Sequence, residues 1–386
     1  MIESACLFGT YARQHSANRL LRATLEAAGY VVVECHAPLW EQTRDKLPGF
    51  FGPLSLAGRA LDYARALPRL LAGWRAVGRG ARLLVVGFNG QLDLLVARRL
   101  ARGRIPVLFV PLVTVTETLV EDRQVYAPGS LGARFAHWLD STTLGSADLV
   151  LADTEEHRAY MCDTFGVDPS RTRTLYLGAE SLFYETPPLE EGPARSVLFY
   201  GQYVALHGAC TIVDAARRLG GRLEITLIGT GPDRPRVEAQ ARGIPNVRFV
   251  DWVPYEQLPA WIGRADVCLG VFGASRKAAM VIPNKVYQAA AGGRPVVSAD
   301  TPGVREVFQH GETIWLIPAA DGARLAEAVF ALALDGSRRQ AIGCAARALM
   351  HDRFNEKRQG ERLRGLIEET IGTGSDGKVR GGGAHG

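Results

Sequence analysis

The sequence predicts an α/β protein built from two Rossmann-like domains that face each other across a cleft. Three observations carry that prediction. Short apolar runs of strand length alternate with amphipathic helical stretches through most of the 386 residues. The alternation is interrupted by a Pro-rich charged bridge, Thr186-Pro-Pro-Leu-Glu-Glu-Gly-Pro193, and then starts again. The length also suffices for two domains, each with its own core.

In chain order, Glu3 to Phe8 reads as a strand and Gly9-Thr10-Tyr11 as a tight turn. His15 to Ala28 then has the spacing of an amphipathic helix, with Leu20, Leu21 and Leu25 inward. Tyr30 to Cys35 is a second strand, and residues 36 to 52 form a long aromatic loop. A helix follows from Leu54 to Val77, interrupted or kinked at Pro68. Leu83 to Gly87 and Pro106 to Val110 are strands on either side of a helix from Gln91 to Arg102. Pro111 to Pro128 is a second long loop, of the kind that is more often functional than accidental. A helix near Leu131 to Leu144, a strand at Leu149 to Ala152, a helix from Thr154 to Phe165 and a strand near Thr174 to Leu177 close the first half.

The second half repeats the pattern more cleanly. Strands read at Ser196–Tyr200, Leu223–Ile228, Val247–Val250, Val267–Val271 and Pro295–Ser298, with helices between them, which is the pattern of a parallel sheet covered on both faces. Pro283 and Asn284 announce a helix, with Asn284 as its cap, and Gly292-Gly293 stop it. The expected organisation is residues 1–185, a linker at 186–195, a second domain at 196–350, and a helical segment at 351–371 that packs back on the first domain. The Gly-rich tail, 372–386, reads as disordered.

Composition narrows the functional classes. A hydrophobic share of 47% with 22% charged residues belongs to a globular chain, and no apolar run reaches the roughly 18 residues that span a bilayer. The start of the chain has no basic leader region and reads as uncleaved, and the six scattered cysteines fit a reducing cytosol. The net charge of +5 is unevenly placed: between 54 and 104 Asp62 and Asp93 are the only acids among many arginines. That stretch reads either as a basic helix facing an anionic membrane or as a solvated helix with its apolar side in the core. Nucleic-acid binding is disfavoured, because no binding motif is present and few aromatics interleave the arginines.

Three glycine-rich turns follow strands of the second half at the same end of its sheet. They are Gly201-Gln202-Tyr203 leading to His207-Gly208, Gly229-Thr230-Gly231, and the helix start Asn284-Lys285 with Gln288 one turn on. Glycines let a ligand approach the backbone, and helix starts offer free amides to an anion, so the convergence favours a nucleotide. Lys285 and Lys277 add positive charge. No Asp-x-Asp pair or His/Cys/Glu cluster with ligand spacing occurs, so no metal site is expected.

At these residues the chain resembles the retaining glycosyltransferases of family 4, which have the GT-B fold. The order of elements matches nearly throughout, and the specific match covers about residues 196 to 320. The Pro283-Asn284-Lys285 helix start resembles that of one subgroup. The family's Gly-Arg-Leu, three residues, Lys-Gly frame is kept, but Gln202 and His207 stand at the Arg and Lys positions. Gln288 stands where the second of two family glutamates belongs, and Met280 at the first. The resemblance implies metal-independent, retaining transfer from a nucleoside-diphosphate sugar, the donor being a substrate, with no cofactor, to a saccharide or lipid-linked acceptor. It further implies a cytoplasmic or inner-membrane-face location and a role in polysaccharide or glycolipid synthesis.

Gly9 and Thr10, which stand where the family closes a Gly-containing loop over the sugar and diphosphate, and Lys277 and Lys285, which restore the charge lost at Gln202 and His207, are the expected catalytic residues. Gly201, Gln202, His207, Gly229, Gly231, Trp252, Val253, Asn284, Gln288 and Glu306 are expected to hold the donor. Trp252 and Val253 lie where the family's loop brackets the base, although a core position suits Trp252 slightly better. Glu306 either approaches the donor or caps its own helix. His15, Arg19 and Arg276 are weaker candidates. A non-catalytic nucleotide-sugar-binding scaffold and a nucleotide-sugar epimerase are the alternatives.

Overall fold

A computed structural model of the chain describes residues 3–39, 53–190 and 192–372, and the side chains of the second helix from residue 58 onward. Most of the expected aromatic loop, from residue 40, and the tail from residue 373 lie outside the described residues.

The first half runs β1 (Glu3–Gly9), α1 (Ser16–Ala27), β2 (Tyr30–His36), α2 (Pro53–Ala76), β3 (Leu83–Val86), α3 (Gln91–Ala101), β4 (Val107–Phe109), α4 (Leu131–Ser146), β5 (Leu149–Ala152), α5 (Glu155–Phe165) and β6 (Thr172–Thr174). The chain crosses over through α6 (Ser181–Tyr184). The second half runs β7 (Ser196–Tyr200), α7 (Ala209–Leu219), β8 (Glu224–Ile228), α8 (Arg234–Ala241), β9 (Val247–Val250), α9 (Leu258–Gly263), β10 (Val267–Leu269), α10 (Arg276–Met280), α11 (Asn284–Ala291), β11 (Val296–Ala299), α12 (Pro302–Arg305), β12 (Trp315–Ile317), α13 (Gly322–Leu334), α14 (Gly336–Arg353) and α15 (Glu356–Ile371).

Each half holds a six-stranded sheet, ordered β2-β1-β3-β4-β5-β6 and β12-β11-β10-β7-β8-β9. All pairings are parallel. Strands buried on both faces explain the unbroken apolar runs such as Leu83–Val86. On the first sheet Phe8, Leu84, Val86 and Phe109 pack under α2–α5, while Leu7, Val85 and Leu108 face α1 and α15. The strands alternate sides as their two-residue period requires.

Several boundaries differ from expectation. β6 ends at Thr174, where pairing of Thr172 and Thr174 with β5 uses the ladder, and Leu175–Leu177 turn away to line an apolar pocket against α1. β12 was not foreseen, since three residues flanked by turns carry little periodicity. Helix α2 runs through Pro68. The second long loop contains a wide turn of π-helix at Glu117–Asp122.

Two features tie the halves together. Arg294, fully buried, donates to the carbonyls of Pro187, Ile262, Gly263 and Gly292, fastening the bridge to the second half. α15 returns to the first half, where Leu363 and Ile367 enter its core and Arg364 Nε donates to Ala28 O at 2.8 Å.

Candidate functional site

The chain fills the second sheet outward from β7 to β9 and then returns to β7's other side with β10. A reversal of this kind opens a crevice at the carboxyl ends of the strands. Gly201 follows β7 at a φ of +149°, a conformation that favours glycine. A Cβ there would stand 2.8 Å from Lys285 Nζ and 3.0 Å from His207 Cε1, so three of the expected residues meet at one point.

Lys285 projects from the first turn of α11, is 6% exposed, and lies 4.0 Å from the centre of the Phe199 ring. Its Nζ and His207 Nδ1 are both buried without a hydrogen-bond partner. Burial pushes Lys285 well below the ordinary lysine range of about 10.5. Burial, and then Lys285 itself, push His207 well below 6.5. Two buried basic nitrogens without hydrogen-bond partners, side by side at a glycine turn, suit an anion that would supply the missing partner.

The glycines after β8 stand where neighbouring backbone excludes a Cβ. A Cβ at Gly229 would meet Gly201 O at 2.0 Å, and one at Gly231 would meet Tyr203 N at 2.5 Å, so adjacent turns stack backbone on backbone. Gln202 is exposed. Gln288 is nearly buried and its amide is engaged: Tyr200 OH donates to Oε1 at 3.1 Å, and Nε2 donates to Tyr255 OH at 2.8 Å. Tyr255 in turn donates to Glu180 and carries the Arg19 guanidinium 4.7 Å above its ring. Arg19 also pairs with Glu180 at 2.8 Å. Trp252 is 57% exposed, which corrects the core position favoured for it, and Val253 packs half-buried beside it. β9 is an edge strand, so the residues just beyond it have no neighbouring strand to cover them.

Other expected residues join the two halves. Lys277 Nζ lies 3.4 Å from Glu117 Oε1 and donates to Thr118 Oγ1 at 3.2 Å, both in the first half, so its charge is already matched. Glu117 also meets His157 Nε2 at 3.2 Å, and His157 Nδ1 lies 2.6 Å from Asp153. Burial alone would raise Glu117, but Lys277 and His157 outweigh it and hold the acid at about 2. Burial would lower His157, but Glu117 and Asp153 lift it to about 10.

Asn284 is the first residue of α11, with Pro283 at the cap, and its Nδ2 reaches Ser16 Oγ at 2.5 Å; the expected capping role is corrected. Glu306 is the C-cap of its own helix α12, its backbone N–H donating to Gly303 O, while its side chain reaches the first half. It accepts from Glu155 N at 2.7 Å and Glu156 N at 2.9 Å, capping α5 of the other half. Arg276 lies over Tyr160, and Met280 packs into the first half's core while its carbonyl accepts from Thr154 Oγ1.

Gly9 and Thr10 end β1 in buried positions. A Cβ at Gly9 would lie 2.5 Å from Asp93 Oδ2, which also accepts from Thr10 N at 2.8 Å and Thr10 Oγ1 at 3.0 Å. Burial raises the Asp93 carboxyl to about 6. His15 caps α1 and stacks on Phe88. Among the described residues no group of three or more His, Cys, Asp or Glu side chains is arranged to hold a metal ion. Sequence reasoning missed His157, Tyr200 and Tyr255. Only His157 left a trace, in its four-residue spacing from Asp153 at a helix start.

Comparison with known proteins places these features. Residues 194–335 match the glycosyl transferases group 1 family. The chain is 28% identical over 257 residues to an alpha-maltose-1-phosphate synthase of Mycolicibacterium smegmatis, an alignment covering 58% of this chain and 64% of that relative. Among solved structures, a sucrose-phosphate synthase from Thermosynechococcus elongatus superposes with a TM-score of 0.72 at 19% identity, over 96% of this chain and 99% of the other. HepE from Anabaena, solved with UDP-glucose, gives 0.69 at 16% identity, over 95% and 99%. By its paired sheets the chain has the GT-B fold of these structures, and its second half is similar to the glycosyl transferases group 1 family.

Proposed function

We propose that the protein transfers a sugar, with retention and without a metal ion, from a nucleoside-diphosphate sugar to a saccharide or lipid-linked acceptor. The observation that carries this reading is the pair of buried, unpartnered nitrogens, Lys285 Nζ and His207 Nδ1, at the Gly201 turn of the β7/β10 crevice. As the bond between the anomeric carbon and the diphosphate oxygen breaks, its electron pair stays on the diphosphate. An acceptor hydroxyl oxygen forms the new bond to that carbon, and its proton passes to the departing phosphate oxygen. Lys285, protonated when the anion enters, neutralises the charge that develops there. We assign Gln288 to the ribose and the exposed Trp252 to the base of the donor. The UDP-glucose complex of a protein with the same fold supports a nucleotide-sugar donor. The arginines of 54–104 support a location on the cytoplasmic side, facing an anionic membrane.

The test is donor hydrolysis and transfer by the purified protein in excess EDTA. Activity persists on this account, and a strict need for Mg²⁺ or Mn²⁺ overturns the metal-free part of it. Tight nucleotide binding with neither hydrolysis nor transfer favours a binding scaffold instead, a reading prompted by Gln288 being engaged by two tyrosines.

A further inference from the structure

Helix α4 buries Ala133, Ala136, Leu139 and Asp140 against the first sheet's helices and leaves the opposite stripe bare. On that stripe Leu131 is 83% exposed, Phe135 59% and Trp138 54%, with the two rings 5.6 Å apart. They sit on successive turns, so they form one continuous apolar ridge. Arg134 and His137 stand exposed beside it.

The neighbouring surface is predominantly basic. α3 packs on α4 and exposes Leu92 and Arg99, with Arg102 and Arg104 just beyond its end, while its acid Asp93 is buried. α2 joins α3 through Tyr63 and Asp93 and exposes Arg65, Arg69 and Arg75. Among the described residues of these three helices the only exposed acid is Asp62, paired with Arg65 at 3.0 Å. α4 follows β4 and therefore starts at the carboxyl end of the sheet, the end that holds Gly9 and the turn after β3.

We propose that α2, α3 and α4 form a docking face for an anionic lipid bilayer, with Phe135 and Trp138 entering the headgroup layer and the arginines meeting its phosphates. Aromatic rings favour the interface between water and acyl chains, and an arginine cluster with a single, paired exposed acid complements an anionic leaflet. A two-fold pair of copies through this face sets arginines against arginines, which disfavours a dimer. The inference extends the membrane part of the function proposed above, and its test contains no nucleotide, so either can fail alone.

The full chain is sedimented with vesicles of phosphatidylcholine alone and of phosphatidylcholine mixed with phosphatidylglycerol. Binding to the mixed vesicles, weakened by salt and about tenfold or more by Phe135→Ser with Trp138→Ser, is expected. Arg99→Glu with Arg134→Glu lowers binding to the mixed vesicles as well. Quenching of wild-type tryptophan fluorescence by brominated lipid checks insertion without any variant. No binding by the wild type, equal binding by the serine variant, or a lipid-free dimer that the serine changes abolish overturns the proposal.

Discussion

Lys285 is the residue on which the proposed site turns. Burial without a hydrogen-bond partner makes it a cost to the empty protein and a gain once an anion arrives. Lys285→Met is therefore expected to weaken nucleoside-diphosphate binding by roughly 1.5 to 3 kcal/mol, the worth of a hydrogen bond to a charged group. The same change should leave the empty protein at least as stable. Unchanged affinity in calorimetry removes Lys285 from the site. Tyr255 makes the opposite kind of prediction. Its hydroxyl takes the Gln288 amide, so Tyr255→Phe frees that amide and tightens binding of a nucleoside diphosphate while leaving pyrophosphate binding alone. Weaker nucleotide binding in this variant identifies the Tyr255 hydroxyl as a ligand in its own right.

Between elements, the contacts that link the halves are polar and titratable. The folded-state value of His157, about 10, lies above its ordinary 6.5, so its contribution is complete below pH 6.5 and lost as pH rises through about 10. Glu117, held at about 2, contributes above its ordinary 4.5 and ceases to do so as pH falls through about 2. Lys285 works the other way, because its lowered value makes stability rise with pH up to about 10.5. The difference between wild type and His157→Gln isolates the first effect: their thermal midpoints should converge from pH 6.5 to about 10. A constant gap across that window would show that His157 carries no charge in the fold. Glu306 makes a simpler case. As a cap on α5, its replacement by Ala should cost about 1 kcal/mol of stability, read by denaturant melting. A loss of nucleotide affinity with unchanged stability would give Glu306 a role in the site instead.

For the whole molecule, the sequence made the two parallel sheets legible because strands buried on both faces leave unbroken apolar runs, as at Leu83–Val86 and Val267–Leu269. It left β12 unread, three residues being too few to show a period. In the site, the Gly201, His207 and Lys285 cluster followed from the position of three turns at one end of one sheet. Partnerships between halves did not follow. Nothing local says that Lys277 answers Glu117, that Glu306 caps a helix in the other half, or that Asn284 reaches Ser16. Those pairings depend on how two domains meet, and a linear pattern does not encode that. Gly229 and Gly231 read as ligand turns, and the sequence did not show that adjacent backbone also leaves no room for a Cβ at either.

The central claim is that the buried pair Lys285 and His207, both pushed down by burial, receives the diphosphate of a nucleotide sugar. Titration calorimetry of UDP, and of its GDP, ADP and dTDP counterparts, in buffers of different ionisation heat tests it directly. The account predicts that the nucleotide which binds takes up protons from the buffer near neutral pH, and that Lys285→Met diminishes both the uptake and the affinity. Tight binding with no proton exchange, unchanged in that variant, would contradict it.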